Sequence, residues 1–173
     1  MIKEILKDKR ILIVDDEPDV LESLLEILDA CFVDAAPDFE TAEKFLNRND
    51  YDAAILDIMG VDGYKLLEIA NARGIPALML TAHALSPDHL VKSLKEGACS
   101  YIPKDKMPDV DVYLSDLLGA WEKGRQGSGN WLKRIQPFFD QKFGAGWKEK
   151  DKDFWRDYEE NHPATREELG KML

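Results

Sequence analysis

The sequence predicts an α/β protein in which a doubly wound, five-stranded parallel sheet is followed by a small α-helical C-terminal extension. Short apolar runs alternate five times with segments whose apolar residues recur at helical spacing, which is typical of parallel strands joined by crossover helices. Two of the runs, residues 11–14 and 53–56, contain no polar residue, as expected of strands that are buried on both faces of the sheet. Four of the five runs end in a polar residue, and such side chains should meet at one edge of the sheet.

The composition favours a soluble globular protein. The chain has 173 residues, 45% hydrophobic and 33% charged, which is enough for one domain with a core plus an appendage. It contains no apolar run long enough to span a bilayer and does not open like a signal peptide, so we expect a cytoplasmic protein without a membrane partner. In that compartment Cys31 and Cys99 are better explained as buried free thiols than as a disulfide or a metal site. The net charge of −11 disfavours a nucleic-acid partner.

Local sequence signals delimit the first half of the sheet. After the first strand, Pro18 suits the first turn of a helix. The apolar face of this helix comprises Val20, Leu21, Leu24, Leu25 and Leu28. Residues 32–36 form a second, weaker strand, and Asp38 is the expected N-cap of the next helix. A polar turn then leads to the central strand, residues 53–57.

The second half of the sheet is delimited in the same way. A loop and a helix closed by Gly74 lead to the fourth strand, residues 75–80. Ser86 is the expected cap of the next helix, which Gly97 ends, and residues 101–103 form the fifth strand. The apolar residues of the helix that follows are Val110, Tyr113, Leu114, Leu117, Leu118 and Trp121.

The C-terminal part of the chain differs from the rest in composition. The acidic excess lies in residues 1–119, and a Gly- and Ser-rich stretch follows, so we predict a first domain of residues 1–123, a linker of residues 124–130 and a helical, aromatic-rich extension of residues 131–173. Within the extension, Pro137 should kink or restart the first helix. Asp151 should cap the second helix, and residues 165–168 fit a capping box for a third.

Three kinds of polar group should converge at the C-terminal edge of the sheet. Asp15 and Asp16 follow the first strand, Asp57 the central strand, Thr81 the fourth and Lys104 the fifth. Hard divalent cations prefer oxygen ligands, and three unpaired carboxylates would repel one another, so the cluster predicts a bound Mg²⁺. A carboxylate can also act as a nucleophile toward phosphorus, with the cation, the lysine and the hydroxyl stabilising the phosphoryl oxygens. Taken alone, Asp57 could equally be the cap of the following helix.

Five separated motifs, in this order along the chain, resemble those of the response-regulator receiver domain of two-component signalling. They are Val-Asp-Asp-Glu-Pro at residues 14–18, the strand ending in Asp57, Asp-Gly at 62–63, Leu-Thr-Ala at 80–82 and Tyr-Ile-Pro-Lys at 101–104. The resemblance covers about residues 8–123 and implies a flavodoxin-like fold.

The resemblance also implies the phosphorylation chemistry. By it, Asp57 is the phospho-acceptor and receives a phosphoryl group from a sensor histidine kinase or a phosphotransfer protein. Asp16 and Asp57 would bind Mg²⁺ directly, Asp15 would bind it through water, and the backbone carbonyl of Met59 would complete the protein ligands. The chain would not be an enzyme, beyond phosphorylating itself from donors and dephosphorylating itself.

Further residues resemble the parts of the domain that transmit and time the signal. Thr81 and Tyr101 resemble the pair that rearranges when the phosphoryl group arrives, and Lys104 resembles the lysine that contacts it. Met59 and His83 occupy the positions that tune the lifetime of the phosphorylated state. The signal would pass by a conformational change to a downstream protein or to the chain's own extension, and a homodimer is compatible with this interpretation.

Two departures from the family pattern affect the site. The loop after Asp57 is about two residues shorter than usual and lacks a proline, which affects the start of the third predicted helix. Lys104 is followed by Asp105 where the family has proline, so the peptide bond between them should be either trans or a strained cis bond.

Alternative functions remain at this point. The chain could be a receiver-like protein-binding module that is not phosphorylated, although the intact acidic, hydroxyl and lysine positions disfavour this. A DNA-binding output domain in the extension is disfavoured because no basic recognition helix follows a helix-turn-helix pattern. The aromatic side chains of the extension are too many for short helices to bury among themselves. They should therefore pack on the receiver-like part of the chain, on a second copy of the chain or on a partner, and the face formed by the fourth predicted helix, the fifth strand and the fifth helix is the natural candidate.

Overall fold

Five parallel strands form the centre of the structure, a computed structural model that describes residues 2–124 and 130–162. The strands are β1 (Arg10–Val14), β2 (Phe32–Ala36), β3 (Ala53–Leu56), β4 (Ala77–Thr81) and β5 (Ser100–Pro103). They pair in the order β2-β1-β3-β4-β5, and helices flank the sheet. The predicted fold class is confirmed.

Eight α-helices are present in the described residues. They are α1 (Ile2–Leu6), α2 (Pro18–Ile27), α3 (Phe39–Arg48), α4 (Gly63–Ala72), α5 (Pro87–Lys95), α6 (Val110–Glu122), α7 (Asn130–Phe143) and α8 (Lys152–Asn161). Two short 3₁₀ helices span Lys104–Asp109 and Glu149–Asp151. Among all these described segments, none combines the length and the apolar character that crossing a bilayer requires.

The helix caps follow the sequence signals closely. The Asp38 side chain accepts a hydrogen bond from the Thr41 amide at 2.8 Å, and the Ser86 hydroxyl accepts one from the His89 amide at 3.1 Å. Asp151 does occupy the N-cap position of α8, but its side chain accepts no hydrogen bond from that helix. The 3₁₀ turn that ends at Asp151 already leads the chain into α8, so no side-chain cap is needed to start it.

The burial of each strand explains why the sequence signal was strong for some strands and weak for others. All residues of β3, β4 and β5 are buried, as are four of the five residues of β1, because helices cover both faces of the sheet. β2 is an edge strand, and its first residue, Phe32, is 63% exposed, so the sequence signal there is weaker. Leu25 and Trp121 were predicted to face inward, but they are 43% and 36% exposed because they lie at the margins of their helices' buried faces.

The C-terminal helices pack on the sheet-containing part of the chain. Helix α7 contacts β5 and α6, and its buried side chains belong to the same hydrophobic core as the sheet. These side chains are Trp131, Leu132, Ile135 and Phe139. The Trp131 indole donates to the Tyr158 hydroxyl at 3.0 Å, which joins α7 to α8. The Arg134 guanidinium pairs with the Asp116 carboxylate of α6 at 2.8 Å.

Three expectations for the C-terminal part need correction or lie outside the description. Asn130, predicted as the last linker residue, is buried and is the first residue of α7. Helix α7 includes Pro137 within a single helix, so of the two predicted effects, a kink or a restart, the restart does not occur; the packing of α7 against β5 and α6 offsets the backbone hydrogen bond that proline lacks. The capping box at residues 165–168 lies outside the described residues.

Candidate functional site

The strand register brings the predicted site residues to one edge of the sheet. Val14 pairs with Leu56, so the residues that follow them, Asp15 and Asp57, emerge side by side. The Asp57 amide donates to the Val14 carbonyl at 3.0 Å and continues that ladder. Thr81 pairs with Pro103, which places Lys104 directly after the neighbouring strand end.

Asp57 is a buried carboxylate, with 2% of the residue exposed. Its Oδ1 accepts a hydrogen bond from the Ile58 amide at 2.9 Å, and its Oδ2 lies 3.5 Å from the Lys104 ammonium. Burial, together with the nearby charge of Asp15, raises the pKa of Asp57 to about 6. The carboxylate therefore remains mostly ionised at neutral pH despite its burial. The predicted alternative, that Asp57 caps the next helix, does not apply, because Asp62 occupies the N-cap position of α4.

The Lys104 ammonium is shared among three carboxylates. It lies 2.8 Å from Asp15 Oδ2, 3.2 Å from Glu17 Oε1 and 3.5 Å from Asp57 Oδ2. Burial opposes its charge, but the contact with Asp15 and the charges of Asp57 and Asp15 outweigh burial and raise the pKa of Lys104. One cation therefore offsets the mutual repulsion of three acids.

Asp15, Asp16 and Glu17 present a cluster of oxygen atoms that suits a hard cation. One carboxylate oxygen from each lies within 4.8 Å of the others. The Asp15 Oδ2 atom is buried and lies 2.8 Å from the Lys104 ammonium. Such a buried, acceptor-only oxygen fits a metal ligand. Glu17 was not predicted as a site residue, although it stands in the quoted Asp-Asp-Glu motif.

The short loop after β3 turns sharply back toward the acidic cluster. Gly60 has a φ of +86°, and a side chain there would place its Cβ 2.5 Å from Asp16 Oδ2. A Cβ at Gly63 would lie 2.0 Å from the Asp57 carbonyl oxygen, and the Gly63 amide donates to the Ile58 carbonyl at 3.0 Å. Helix α4 can therefore begin at once, in spite of the missing residues and proline. Met59 lies in this loop with a half-exposed side chain.

Thr81 and Tyr101 are connected through the backbone of Ala84. The Thr81 hydroxyl oxygen accepts a hydrogen bond from the Ala84 amide at 3.1 Å, and the Tyr101 hydroxyl donates to the Ala84 carbonyl. The Tyr101 oxygen also accepts from the Ser86 amide at 3.2 Å. Both side chains are fully buried, and burial raises the pKa of Tyr101, so its phenol stays protonated and able to donate.

Two further predictions concern residues at the rim of the site. The His83 side chain is 72% exposed, and its Nε2 lies 3.8 Å from Glu17 Oε1. The Lys104–Asp105 peptide bond is trans, as are all other peptide bonds in the described residues. The sequence alternative of a strained cis bond therefore does not apply.

Comparison with known proteins identifies the family of this arrangement. A sequence model of the response regulator receiver domain matches residues 11–113, which is more than half of the chain. The chain belongs to the response-regulator receiver-domain family. Among curated proteins, the two-component response regulator ARR10 of Arabidopsis thaliana is 33% identical over 120 residues, covering 65% of this chain and 20% of that protein. The transcriptional regulatory protein TcrA of Mycobacterium tuberculosis is 35% identical over 101 residues, covering 55% of this chain and 40% of that protein.

Solved receiver structures match the same part of the chain. A CheY-like response regulator receiver domain protein from Methanospirillum hungatei JF-1 has a TM-score of 0.62 and 30% identity, and the match covers 68% of this chain and 99% of that chain. A second solved structure, from Chloroflexus aurantiacus J-10-fl, has a TM-score of 0.57 and 31% identity, and the match covers 65% of this chain and 98% of that chain. The chain spans about a fifth of the length of the plant relatives that it matches.

Proposed function

We propose that this chain acts as a response regulator in a two-component phosphorelay and that Asp57 accepts a phosphoryl group from a histidine kinase or a phosphotransfer protein. The observation that carries the proposal is the buried Asp57 carboxylate, which shares the Lys104 ammonium with Asp15 at the C-terminal edge of a parallel sheet. Membership of the receiver-domain family supports the same assignment.

Asp57 supplies the nucleophile in this reaction. Its Oδ1 is occupied by the Ile58 amide, so Oδ2, the oxygen nearer to Lys104, is the one that we expect to attack phosphorus. A phosphorus–oxygen bond then forms to Asp57 while the bond between phosphorus and the donor's imidazole nitrogen breaks; the electron pair of that bond stays on the nitrogen, and the donor, which carries a proton on its other ring nitrogen, leaves as neutral imidazole. Lys104 offsets negative charge on the transferred group, and the Thr81 hydroxyl can donate a hydrogen bond to it.

The acidic cluster of Asp15, Asp16 and Glu17 fits Mg²⁺ because its donors are all hard oxygen atoms, one from each residue, within 4.8 Å of one another. From the family pattern we infer that Asp16 and Asp57 would hold the ion directly, that Asp15 would hold it through water and that the Met59 carbonyl would complete the protein ligands, although Asp57 lies outside the cluster of Asp15, Asp16 and Glu17. When bound, the ion supplies positive charge that neutralises charge developing on the phosphoryl oxygens.

Incubation with a small phosphodonor such as acetyl phosphate tests the assignment. We expect an acid-labile phosphate on Asp57 in the presence of Mg²⁺, and none in the Asp57→Asn variant, whose side chain is nearly the same size. Peptide mapping by mass spectrometry locates the modification. Unchanged uptake in that variant would falsify the assignment, and no uptake by the wild type would favour a receiver-like binding module that is not phosphorylated.

We also infer that His83 tunes the lifetime of the phosphorylated state. The support is its exposed position beside Glu17, at the rim of the same cluster. His83→Ala should change the dephosphorylation rate several-fold, measured as loss of labelled phosphate after the donor is removed. A rate equal to that of the wild type would exclude His83 from the mechanism.

Domain division and cellular location remain our inferences. We assign the receiver to residues 1–123 and the extension to residues 131–173, with the linker of residues 124–130 shortened by Asn130, which begins α7. Cys31 and Cys99 are free thiols, which supports a cytoplasmic location.

A further inference from the structure

The ring of Tyr101 lies between the receiver and the extension. Tyr101 comes from β5 and Phe139 from α7, and both side chains are completely buried. Their ring centroids are 6.2 Å apart at an angle of 46°, which is an ordinary aromatic contact. The extension therefore contacts the β5 side chain whose hydroxyl bonds to Ala84.

Hydrogen bonds continue from this contact to the phosphorylation site. The Tyr101 hydroxyl binds the Ala84 carbonyl and the Ser86 amide, and the Ala84 amide binds the Thr81 hydroxyl oxygen. Only Tyr101 and Ala84 thus separate Phe139 from Thr81. Because the Thr81 oxygen accepts from Ala84, its own proton is left to donate toward an acceptor at the sheet edge, where Asp57 lies.

Phe139 is itself held firmly within the extension. It stacks on Phe143 with centroids 5.1 Å apart and meets the edge of Trp147 at 5.8 Å. Helix α7 is fixed to the receiver by the Arg134–Asp116 ion pair at 2.8 Å. The position of Phe139 is thus set by the docking of the whole extension, not by local chain geometry.

We propose that Phe139 is a positioning residue for phosphorylation of Asp57. The docked extension holds Tyr101, and through Ala84 the Thr81 hydroxyl, in the arrangement that donates to the incoming phosphoryl group. Because coupling between two sites is reciprocal, phosphorylation in turn tightens the docking of the extension. The proposal rests on the proposed function, since it needs Asp57 to be the phospho-acceptor.

Phosphoryl uptake is the first measurement. Phe139→Ala should slow Mg²⁺-dependent uptake from acetyl phosphate on the order of tenfold, a usual size for coupling between sites. Phe143→Ala is the matched control, because it removes the same ring from the same cluster, and Phe143 makes no ring contact with Tyr101 within residues 2–124 and 130–162. Phe139→Leu, which restores apolar volume, should recover most of the rate.

Docking of the extension is the second measurement. Three of the four tryptophans lie in the extension and the fourth, Trp121, lies near the end of α6, so intrinsic fluorescence of a Trp121→Phe background reports on the extension. With Mg²⁺ and beryllium fluoride, a phosphoryl mimic, the wild type should change its tryptophan emission and gain hydrogen-exchange protection across residues 131–158. Asp57→Asn should show neither change. Tyr101→Phe keeps the ring beside Phe139 but removes the hydroxyl, so its extension should stay docked and stop responding to the mimic.

The outcomes separate the two proposals. If the wild type forms no phosphate on Asp57, the proposed function and the role of Phe139 both fail. If the wild type is phosphorylated but Phe139→Ala and Phe143→Ala take up phosphate equally fast, only the role of Phe139 fails. Unchanged or reduced protection of residues 131–158 with the mimic, or a full response in Tyr101→Phe, would likewise overturn the coupling.

Discussion

Among the single residues of the site, Lys104 provides the positive charge that offsets the negative charge of the carboxylates. It is the one cation that the described residues place against Asp15, Glu17 and Asp57, and its side chain is largely buried together with those of the two aspartates. Charges that are buried together depend on one another, because water can no longer stabilise a charge whose partner is removed. The lysine therefore has a structural role in addition to its proposed contact with the phosphoryl group.

Lys104→Met should destabilise the protein strongly when no divalent cation is present. We expect a loss of about 3 kcal/mol in the free energy of unfolding at neutral pH, the usual cost of leaving buried charges unpaired. Urea unfolding in the presence of EDTA measures it, and added Mg²⁺ should recover part of the loss. Lys150→Met is the control, since the Lys150–Asp88 pair has a similar 3.0 Å separation but is 72% exposed on both sides. Equal effects in the two variants would contradict this account.

Among the elements, the loop between β3 and α4 shows how the structure accommodates a loop that is shorter than the family pattern. Asp62 has a φ of +53° just before the helix, and Gly63 lies against the backbone of Asp57 and Ile58. A shorter loop brings the helix start closer to the strand end. Only a residue without a side chain fits there, so Gly63 is what allows the shortened loop to reach α4.

Gly63→Ala should destabilise the protein and weaken phosphorylation together. The new Cβ would overlap backbone atoms that cannot move without displacing Asp57, so we expect a loss of about 1–3 kcal/mol and slower phosphoryl uptake. Gly119→Ala is the control, because Gly119 lies within α6 with no atom within 4 Å of the added methyl group. It should gain about 0.5–1 kcal/mol, as usual for glycine replaced in a helix. Urea unfolding of both variants provides the measurement, and a neutral Gly63→Ala would refute the steric argument.

At the scale of the whole molecule, the extension shares its core with the receiver. Trp131, Leu132, Ile135 and Phe139 belong to the same buried cluster as the strands, and the Lys150–Asp88 and Arg134–Asp116 pairs bridge the two parts. Elements with a common core are expected to unfold together, whereas separately folded domains unfold independently.

Receiver and extension should therefore unfold in a single transition. In a Trp121→Phe background the remaining tryptophans all lie in the extension, so their fluorescence follows the extension, while far-UV circular dichroism follows the whole chain. The two urea transitions should have the same midpoint. Phe143→Ala should lower both midpoints equally, although its change lies only in the extension. An earlier fluorescence transition would mean that the extension is an independent unit.

Local signals were sufficient to predict most elements from the sequence. Asp38 and Ser86 cap the helices that they were expected to cap, because a capping side chain bonds to an amide only three residues away. The meeting of Asp15, Asp57 and Lys104 was also predictable, since parallel strands must bring their C-terminal ends to one edge of the sheet.

The sequence by itself determined the α/β class, the strand boundaries to within a few residues and the family motifs, because these depend on periodicity and on neighbours along the chain. Only the tertiary structure decided that Glu17 joins the Lys104 cluster, that α7 continues through Pro137 and that Phe139 covers Tyr101. Each of these depends on distances between residues far apart in the sequence. Such distances follow from how the helices pack on the sheet, which no local pattern specifies.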